Sequence, residues 1–431
     1  MTVGTLAVVA TVMVAFAMYS RWFTRHLVTA PMVFVVVGAL AFGLVDRLEA
    51  DNGIISTAAE VTLALVLFHD ASTVRLKSLD SDWRAPARLL GIGFPLAVIM
   101  TFGLTAWLIP TIGVMGALLI AAAISPTDAG LGAPTVMNPS VPLRVRRMLN
   151  VESGLNDGLA TPIVLFALAA LAADEGETPP PLLEIAVIPV AWALAVGIVL
   201  SVLIARFLQH SKKHADSSGT SRAVTVLLTP VLIFLVADTI GANVFIAAFV
   251  GGIAFGAASP LLHDRPRTAH LLETIADLGS WFVWFLAGGL IVTVISTGLA
   301  WQPVVIAVVA LTLFRLLPVA ISLLGTGFRM PTVAFVGWFG PRGLATVVFA
   351  LLAVEELGEG DPTLHPVLSA LVVAVAISVF AHGISAAPLA HRYSRWVRRV
   401  QPTQEVLPGS QPAQRGAAFV HDQRPSDDTV G

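Results

Sequence analysis

Long apolar runs, cut by short polar stretches, recur along almost the whole chain. A helix that crosses a bilayer needs about 20 mostly apolar residues. Thirteen windows meet that need: 3–20, 27–44, 54–71, 88–109, 113–137, 153–173, 184–208, 223–240, 242–259, 271–295, 299–324, 332–354 and 364–389. The eighth and ninth are parted only by Thr239-Ile240-Gly241, and Asp238 at that join marks a break. The pattern predicts an all-α polytopic membrane protein of about 13 transmembrane helices. From Gln401 the chain turns polar and rich in Pro, Gln, Asp and Gly. Residues 401–431 therefore read as a disordered cytoplasmic tail behind a transmembrane domain spanning 1–400. The polar stretch Gln209–Ser221 reads as a mobile loop.

Composition agrees. Of 431 residues, 56% are hydrophobic and 12% charged, and the mean hydropathy is +0.85. Soluble domains carry about a quarter charged residues, so the chain falls in the membrane class. A net charge of −2 suggests no nucleic-acid partner. With no cysteine, disulfides, thiolate metal sites and a cysteine nucleophile are excluded. Arg21 and Arg25 follow the first apolar run, whereas a cleaved signal carries its positive charges before it. Residues 3–20 therefore read as a retained first span.

Charge placement tests the span count separately. Cytoplasmic loops carry an excess of Lys and Arg. The segments after odd-numbered windows, with the window ends that border them and the tail, hold 22 of the 25 Lys and Arg residues. Those after even-numbered windows hold only Arg47, and two are acidic: Asp174, Glu175 and Glu177, then Glu355, Glu356, Glu359 and Asp361. The expected orientation is N-terminus outside and C-terminus in the cytoplasm, in the inner (plasma) membrane.

The fifth window carries Ser125-Pro126-Thr127-Asp128 and the twelfth Gly340-Pro341-Arg342-Gly343. Proline removes a backbone donor and breaks a helix. Two interrupted spans in corresponding places point to a transporter's binding site. They lie seven spans apart and so run in opposite senses, making spans 4–6 and 11–13 inverted repeats. The two breaks are expected to cross near the midplane, where orphaned backbone groups offer partial charges.

Ionisable side chains are expensive at membrane depth and are usually functional there. Asp128 and Asp157 are the leading ligands for a monovalent cation, because a dehydrated hard ion needs oxygens in place of its water. Ser153, four residues before Asp157, shares its helix face. Asp70, at the end of the third span, either adds an oxygen or is a solvated interfacial residue. His69 beside it reads as a packed histidine. Two close carboxylates hold a proton when no cation is bound, so cation and proton compete for one site. Arg342 cannot be neutralised at ordinary pH and needs an anion. Glu152 is the best candidate, with Asn156 beside it donating to loop carbonyls. Glu60, Asp238, Arg315 and His382 read as pathway or packing residues, the second being favoured. Gly251-Gly252 and Gly288-Gly289 read as sites of close helix packing.

With these motifs in place, the chain resembles the electroneutral cation:proton antiporter branch of the sodium/proton exchangers, the NhaP-like type. The resemblance runs from about residue 5 to 395. It rests on Phe68-His69-Asp70, Thr127-Asp128, Glu152-Ser153-x-x-Asn156-Asp157 and Gly340-Pro341-Arg342-Gly343. It implies that Asp128, Asp157, Ser153, the Thr127 carbonyl and Asp70 bind the ion. It also implies that Glu152 and Arg342 form an ion pair beside Asn156. Asn156 stands where the electrogenic branch has a second aspartate, which implies one proton exchanged per cation. The implied protein is a homodimer in a lipid bilayer, without cofactor, exchanging Na+ (or K+ or Li+) for H+. A mobile core (88–173 and 299–389) would move against the remaining, fixed spans. Two departures stand out: Ala129 follows Asp128 where the family usually has proline, and Pro126 precedes it. The rival readings are an electrogenic or K+-efflux relative, a cation channel, and an intramembrane hydrolase using Ser153 or His69.

Overall fold

The computed structural model describes residues 3–44, 52–73, 83–128, 130–131, 140–173, 187–214, 217–259, 266–358 and 360–406. Among these, the regular structure is helical throughout. The helices are α1 (Val3–Arg25), α2 (Ala30–Leu44), α3 (Asn52–Thr73), α4 (Arg84–Leu108), α5 (Gly113–Ile124) and α6 (Leu143–Ala172). They continue with α7 (Ile188–Lys213), α8 (Gly219–Thr239), α9 (Val244–Ala258), α10 (Pro266–Thr297) and α11 (Trp301–Ser322). The last are α12 (Met330–Trp338), α13 (Leu344–Leu357), α14 (Leu364–Val400) and the single turn α15 (Thr403–Val406). Seven of the described helices are long and apolar enough to cross a membrane, and four shorter ones are also apolar.

The predicted windows fall on these helices. The break between the eighth and ninth windows is real. Helix α8 stops at Thr239, and Gly241 turns the chain with φ +67°. Asn243 then caps α9 by accepting a hydrogen bond from the Ile246 N–H at 2.9 Å. The stretch Gln209–Ser221 differs from its reading as a loop. Helix α7 runs on to Lys213, and Ser218 already caps α8, taking the Ser221 N–H at 3.1 Å. A local cap outweighed the polar composition.

Glycine sets the closest packing. Helix α2 lies along α10, where Gly38 faces the Phe285 carbonyl and Gly288 faces the Val35 carbonyl. Helix α3 lies against α9 through Gly252 and Gly256, which face the Phe68 and Ser72 carbonyls. A Cβ at any of these positions would strike backbone, so small residues let the helix axes approach. Helix α5 packs on α4 and α6, and α14 packs on α11 and α13.

In both proline-bearing windows the described helix stops just before the proline. Helix α5 ends at Ile124, and residues 125–128 continue without helix; residues 129 and 132–139 of that window lie outside the described residues. Residues 339–343 separate α12 from α13. An interruption the sequence did not announce opens α11 at Thr312, whose backbone leaves the helical region (φ −113°, ψ −87°).

The tail reading needs correction at its start. Pro402 is buried, and Thr403–Val406 form a helical turn against the body of the protein. Glu405 is buried and accepts from the Arg329 N–H at 3.0 Å and the Thr332 hydroxyl at 2.7 Å. The Arg144 guanidinium donates to the Gln404 carbonyl at 2.7 Å. These partners come from α6 and the start of α12, so composition within the segment does not reveal them. Residues 407–431 lie outside the described residues.

Candidate functional site: two crossed helix breaks

The two interruptions meet. The Asp128 N–H donates to the Pro341 carbonyl at 2.8 Å, and the Leu344 N–H donates to Asp128 Oδ2 at 2.7 Å. The Leu131 N–H reaches Asp128 Oδ1 at 3.0 Å. Asp128 therefore caps the first turn of α13, where exposed N–H groups favour an anion. Gly343 makes this approach possible, because a Cβ there would land on the Asp128 carboxylate. Among the described residues, each carboxylate oxygen accepts one backbone N–H.

Arg342 does the converse. Its guanidinium is fully buried and donates to the Ser125 carbonyl, to the Pro126 carbonyl at 3.1 Å and to the Ala310 carbonyl at 3.4 Å. The first two belong to the C-terminal end of α5, where orphaned carbonyls favour a cation. The third is exposed where α11 opens. The breaks thus exchange opposite charges, with an aspartate of the first on the N-terminus of the second and an arginine of the second on the C-terminus of the first. The Thr346 hydroxyl adds a bond to the Ala123 carbonyl at 2.8 Å.

This wiring corrects the expected Glu152–Arg342 pair. Glu152 is paired with Arg315 of α11, which grips it with two nitrogens, one of them at 2.8 Å from Oε2. Both buried charges needed compensation, as expected. Arg342 obtains it from helix-end carbonyls, which leaves the carboxylate to the second intramembrane arginine. Reading Arg315 as packing missed this. The available signal was that two arginines lay inside apolar windows and Glu152 at the edge of another.

Helix α6 brings in the rest. The Thr127 and Ser153 hydroxyls lie 2.8 Å apart, and the Asn156 amide donates to the Thr127 hydroxyl at 2.7 Å. Asn156 therefore holds a side chain of the first break rather than a loop carbonyl. Thr127, Ser153 and Asn156 are all buried. Asp157, one turn beyond Ser153, is partly buried. Asp70 comes to this place as well. Its Cβ and carbonyl lie against Gly154, the residue after Ser153, and His69 Nδ1 is 3.2 Å from its Oδ1. His69 is buried and packed as read. Asp128, Thr127, Ser153, Asn156 and Asp70 are thus gathered around α6, with Asp157 on the same stretch of that helix.

A cavity of about 470 Å³ opens between α3 and α10 on one side and α13 and α14 on the other. Ser56, Leu286, Thr293, Glu355, Asp361 and His365 are among its lining residues. Leu290 lines it too, and also a much smaller space that reaches Thr346.

Comparison with known proteins bears on the family and the fold. The Na(+)/H(+) antiporter of Schizosaccharomyces pombe is 26% identical over 413 residues, covering 86% of each chain. A sodium, potassium, lithium and rubidium/H(+) antiporter of Bacillus subtilis is 27% identical over 274 residues. That match covers 63% of this chain but 40% of the relative, so the chain spans less than half of that protein's length. The structure of the sodium proton antiporter MjNhaP1 from Methanocaldococcus jannaschii matches with a TM-score of 0.73 at 16% identity, over 90% of this chain and 98% of that one. It shares the fold. The profile of the transmembrane sodium/hydrogen exchanger family matches residues 7–392, nearly the whole described body, and the chain belongs to that family.

Proposed function

We propose that this chain is a secondary antiporter exchanging a monovalent cation for H+, with cation and proton competing for Asp128 and Asp157. The observation that carries the reading is the crossing of the two breaks on Asp128, with Thr127, Ser153 and Asn156 bonded beside it. Na+ is the first candidate cation and K+ and Li+ the alternatives. The relatives' names support that breadth, since one transports four alkali cations and another, from Shewanella, is a K(+)/H(+) antiporter.

The chemistry follows from charge. In this reading the site carries a proton when no cation is bound. A cation favours the ionised carboxylates and displaces it. The Ser153 hydroxyl, the Thr127 carbonyl and Asp70 supply further oxygens. An empty, charged site is too costly to carry across, so each crossing carries a cation or a proton. The ions are substrates, and no cofactor takes part.

Residues 88–173 and 299–389 form the mobile core in this reading, and the remaining spans form a fixed part that dimerises in the bilayer. The Arg342 and Asp128 bonds tie the two breaks into one body that moves as a unit. The thirteen predicted windows and the loop charges support an N-terminus outside and a C-terminus in the cytoplasm, in the plasma membrane. The cavity lined by Glu355 and Asp361 is then the outer vestibule. Its carboxylates attract cations from outside.

The test is reconstitution in liposomes with an internal pH dye. Adding Na+, K+ or Li+ outside moves the internal pH with wild type, and Asp157→Ala abolishes the response. No response to any cation with wild type, or a full response with Asp157→Ala, overturns the reading.

A further inference from the structure

We propose that Ser378 and His382 of α14 are positioning residues that clamp the second helix break and so hold Asp128 in its cation-binding geometry. The proposal rests on the exchange reading above and extends it to two residues outside the ion site.

Residues 339–343 lie between two helix ends, and both ends reach α14. On the near side, the Trp338 carbonyl ends α12, and it accepts the Gly340 N–H at 2.9 Å with one lone pair still available. His382 Nε2 lies 2.9 Å from it. The clamp uses the tautomer with the hydrogen on Nε2, which donates to this carbonyl. In the neutral ring this makes Nδ1 an acceptor. Nδ1 lies 3.2 Å from the Ser378 hydroxyl, which donates to it in this tautomer, and 3.0 Å from the Ser378 carbonyl, which takes the hydrogen in the other tautomer. On the far side, the Arg342 N–H donates to that same hydroxyl oxygen at 2.7 Å. In the Nε2–H tautomer the chain of bonds is continuous: Arg342 N–H to Ser378 hydroxyl, Ser378 to the imidazole, the imidazole to the Trp338 carbonyl. It runs from one lip of the break to the other. Trp338 is seated on the same helix a second time, its indole N–H donating to the Ser385 hydroxyl at 2.9 Å and its ring 5.2 Å from that of His382.

Ser378 and His382 are four apart and share one face of α14. Both are buried, so water does not substitute for either. What they hold is the piece of backbone that grips Asp128. The Pro341 carbonyl takes the Asp128 N–H, and the Leu344 N–H binds Asp128 Oδ2. Arg342, whose N–H is the far anchor, sits between these two contacts in sequence. A slack break displaces both, and with them the carboxylate offered to the cation. The clamp does not touch the ion, so loosening it changes affinity more than maximal turnover.

The experiment compares wild type, His382→Leu, His382→Gln and Ser378→Ala, reconstituted, with cation-dependent proton exchange measured over a range of Na+ and K+ concentrations. His382→Leu has no group to bridge the break. Glutamine keeps one donor and one acceptor on a side chain of similar reach. The expected result is an apparent KM raised about fivefold in His382→Leu and Ser378→Ala, the worth of one neutral hydrogen bond. Maximal rate should stay within about twofold, and His382→Gln should restore the wild-type KM. A folded His382→Leu with unchanged KM overturns the clamp, and so does a His382→Gln that fails like leucine. Should His382→Leu not fold, Ser378→Ala, which deletes one oxygen, decides in the same way. Wild type that exchanges normally beside unaffected variants overturns the clamp alone. Wild type that exchanges no cation overturns the antiport reading itself, and the clamp's role with it.

Discussion

Glu152 offers the sharpest test of how the buried charges are wired. Its carboxylate and the Arg315 guanidinium expose 2% and 8% of their side chains. Replacing Glu152 with glutamine leaves Arg315 charged, because a guanidinium does not give up its proton in a protein. Breaking a buried pair from one side costs roughly 3–5 kcal/mol. Removing both charges, in Glu152→Gln with Arg315→Gln, leaves two amides that can bond each other, and most of that loss returns. The double-mutant cycle should therefore show a coupling of about 2–3 kcal/mol, at the upper end for contacting residues. The cycle of Glu152→Gln with Arg342→Gln should show a small coupling. The Arg342 bonds run to the Ser125, Pro126 and Ala310 carbonyls, which Glu152→Gln leaves in place. Tryptophan fluorescence in detergent is a suitable readout, since the chain has 9 tryptophans and no cysteine for a thiol dye. Midpoints taken at one scan rate rank the variants where unfolding is irreversible. Equal or stronger coupling of Glu152 to Arg342 refutes the reasoning, as does a Glu152→Gln protein as stable as wild type.

Other outcomes follow from the same geometry. Gly343→Ala drives a methyl group into the Asp128 carboxylate and should weaken cation binding by at least about tenfold, the worth of a charge-assisted hydrogen bond; isothermal titration or the apparent KM checks it. Proton competition for the aspartates predicts that the apparent KM for the cation rises about tenfold per unit of acidification below the site's apparent pKa. Maximal rate should stay constant, and a falling maximal rate with unchanged KM would exclude competition. Glu405→Ala removes the buried carboxylate that accepts from Arg329 and Thr332, and should cost about 1 kcal/mol, like the loss of a helix cap. A thermal midpoint unchanged from wild type would show that the segment after Gln401 adds nothing to stability.

Much of this protein could be read from its residues alone. Hydropathy marked where the helices lie, because burial of a span in lipid is a property of about twenty consecutive side chains. The two breaks were legible because Pro126 and Pro341 interrupt apolar runs locally, and the glycine pairs of α9 and α10 were legible because only a missing Cβ permits such contact. That charged groups at those breaks matter followed from the cost of carrying them into a membrane. Partner choice was a different matter. Glu152 and Arg315 are 163 positions apart, and Glu152 and Arg342 are further still. Only the packing of α6 against its neighbours, together with the Arg342 claim on the carbonyls of α5, decides between the two arginines. The same holds for Asp128 as a cap on α13, for the Ser378–His382 link across the break, and for the buried Glu405 in a segment whose composition says disorder. Sequence determines what each group requires in order to be buried. Tertiary structure decides which distant group meets the requirement, because a backbone carbonyl, a hydroxyl or a carboxylate can each do so and the chain's order does not rank them.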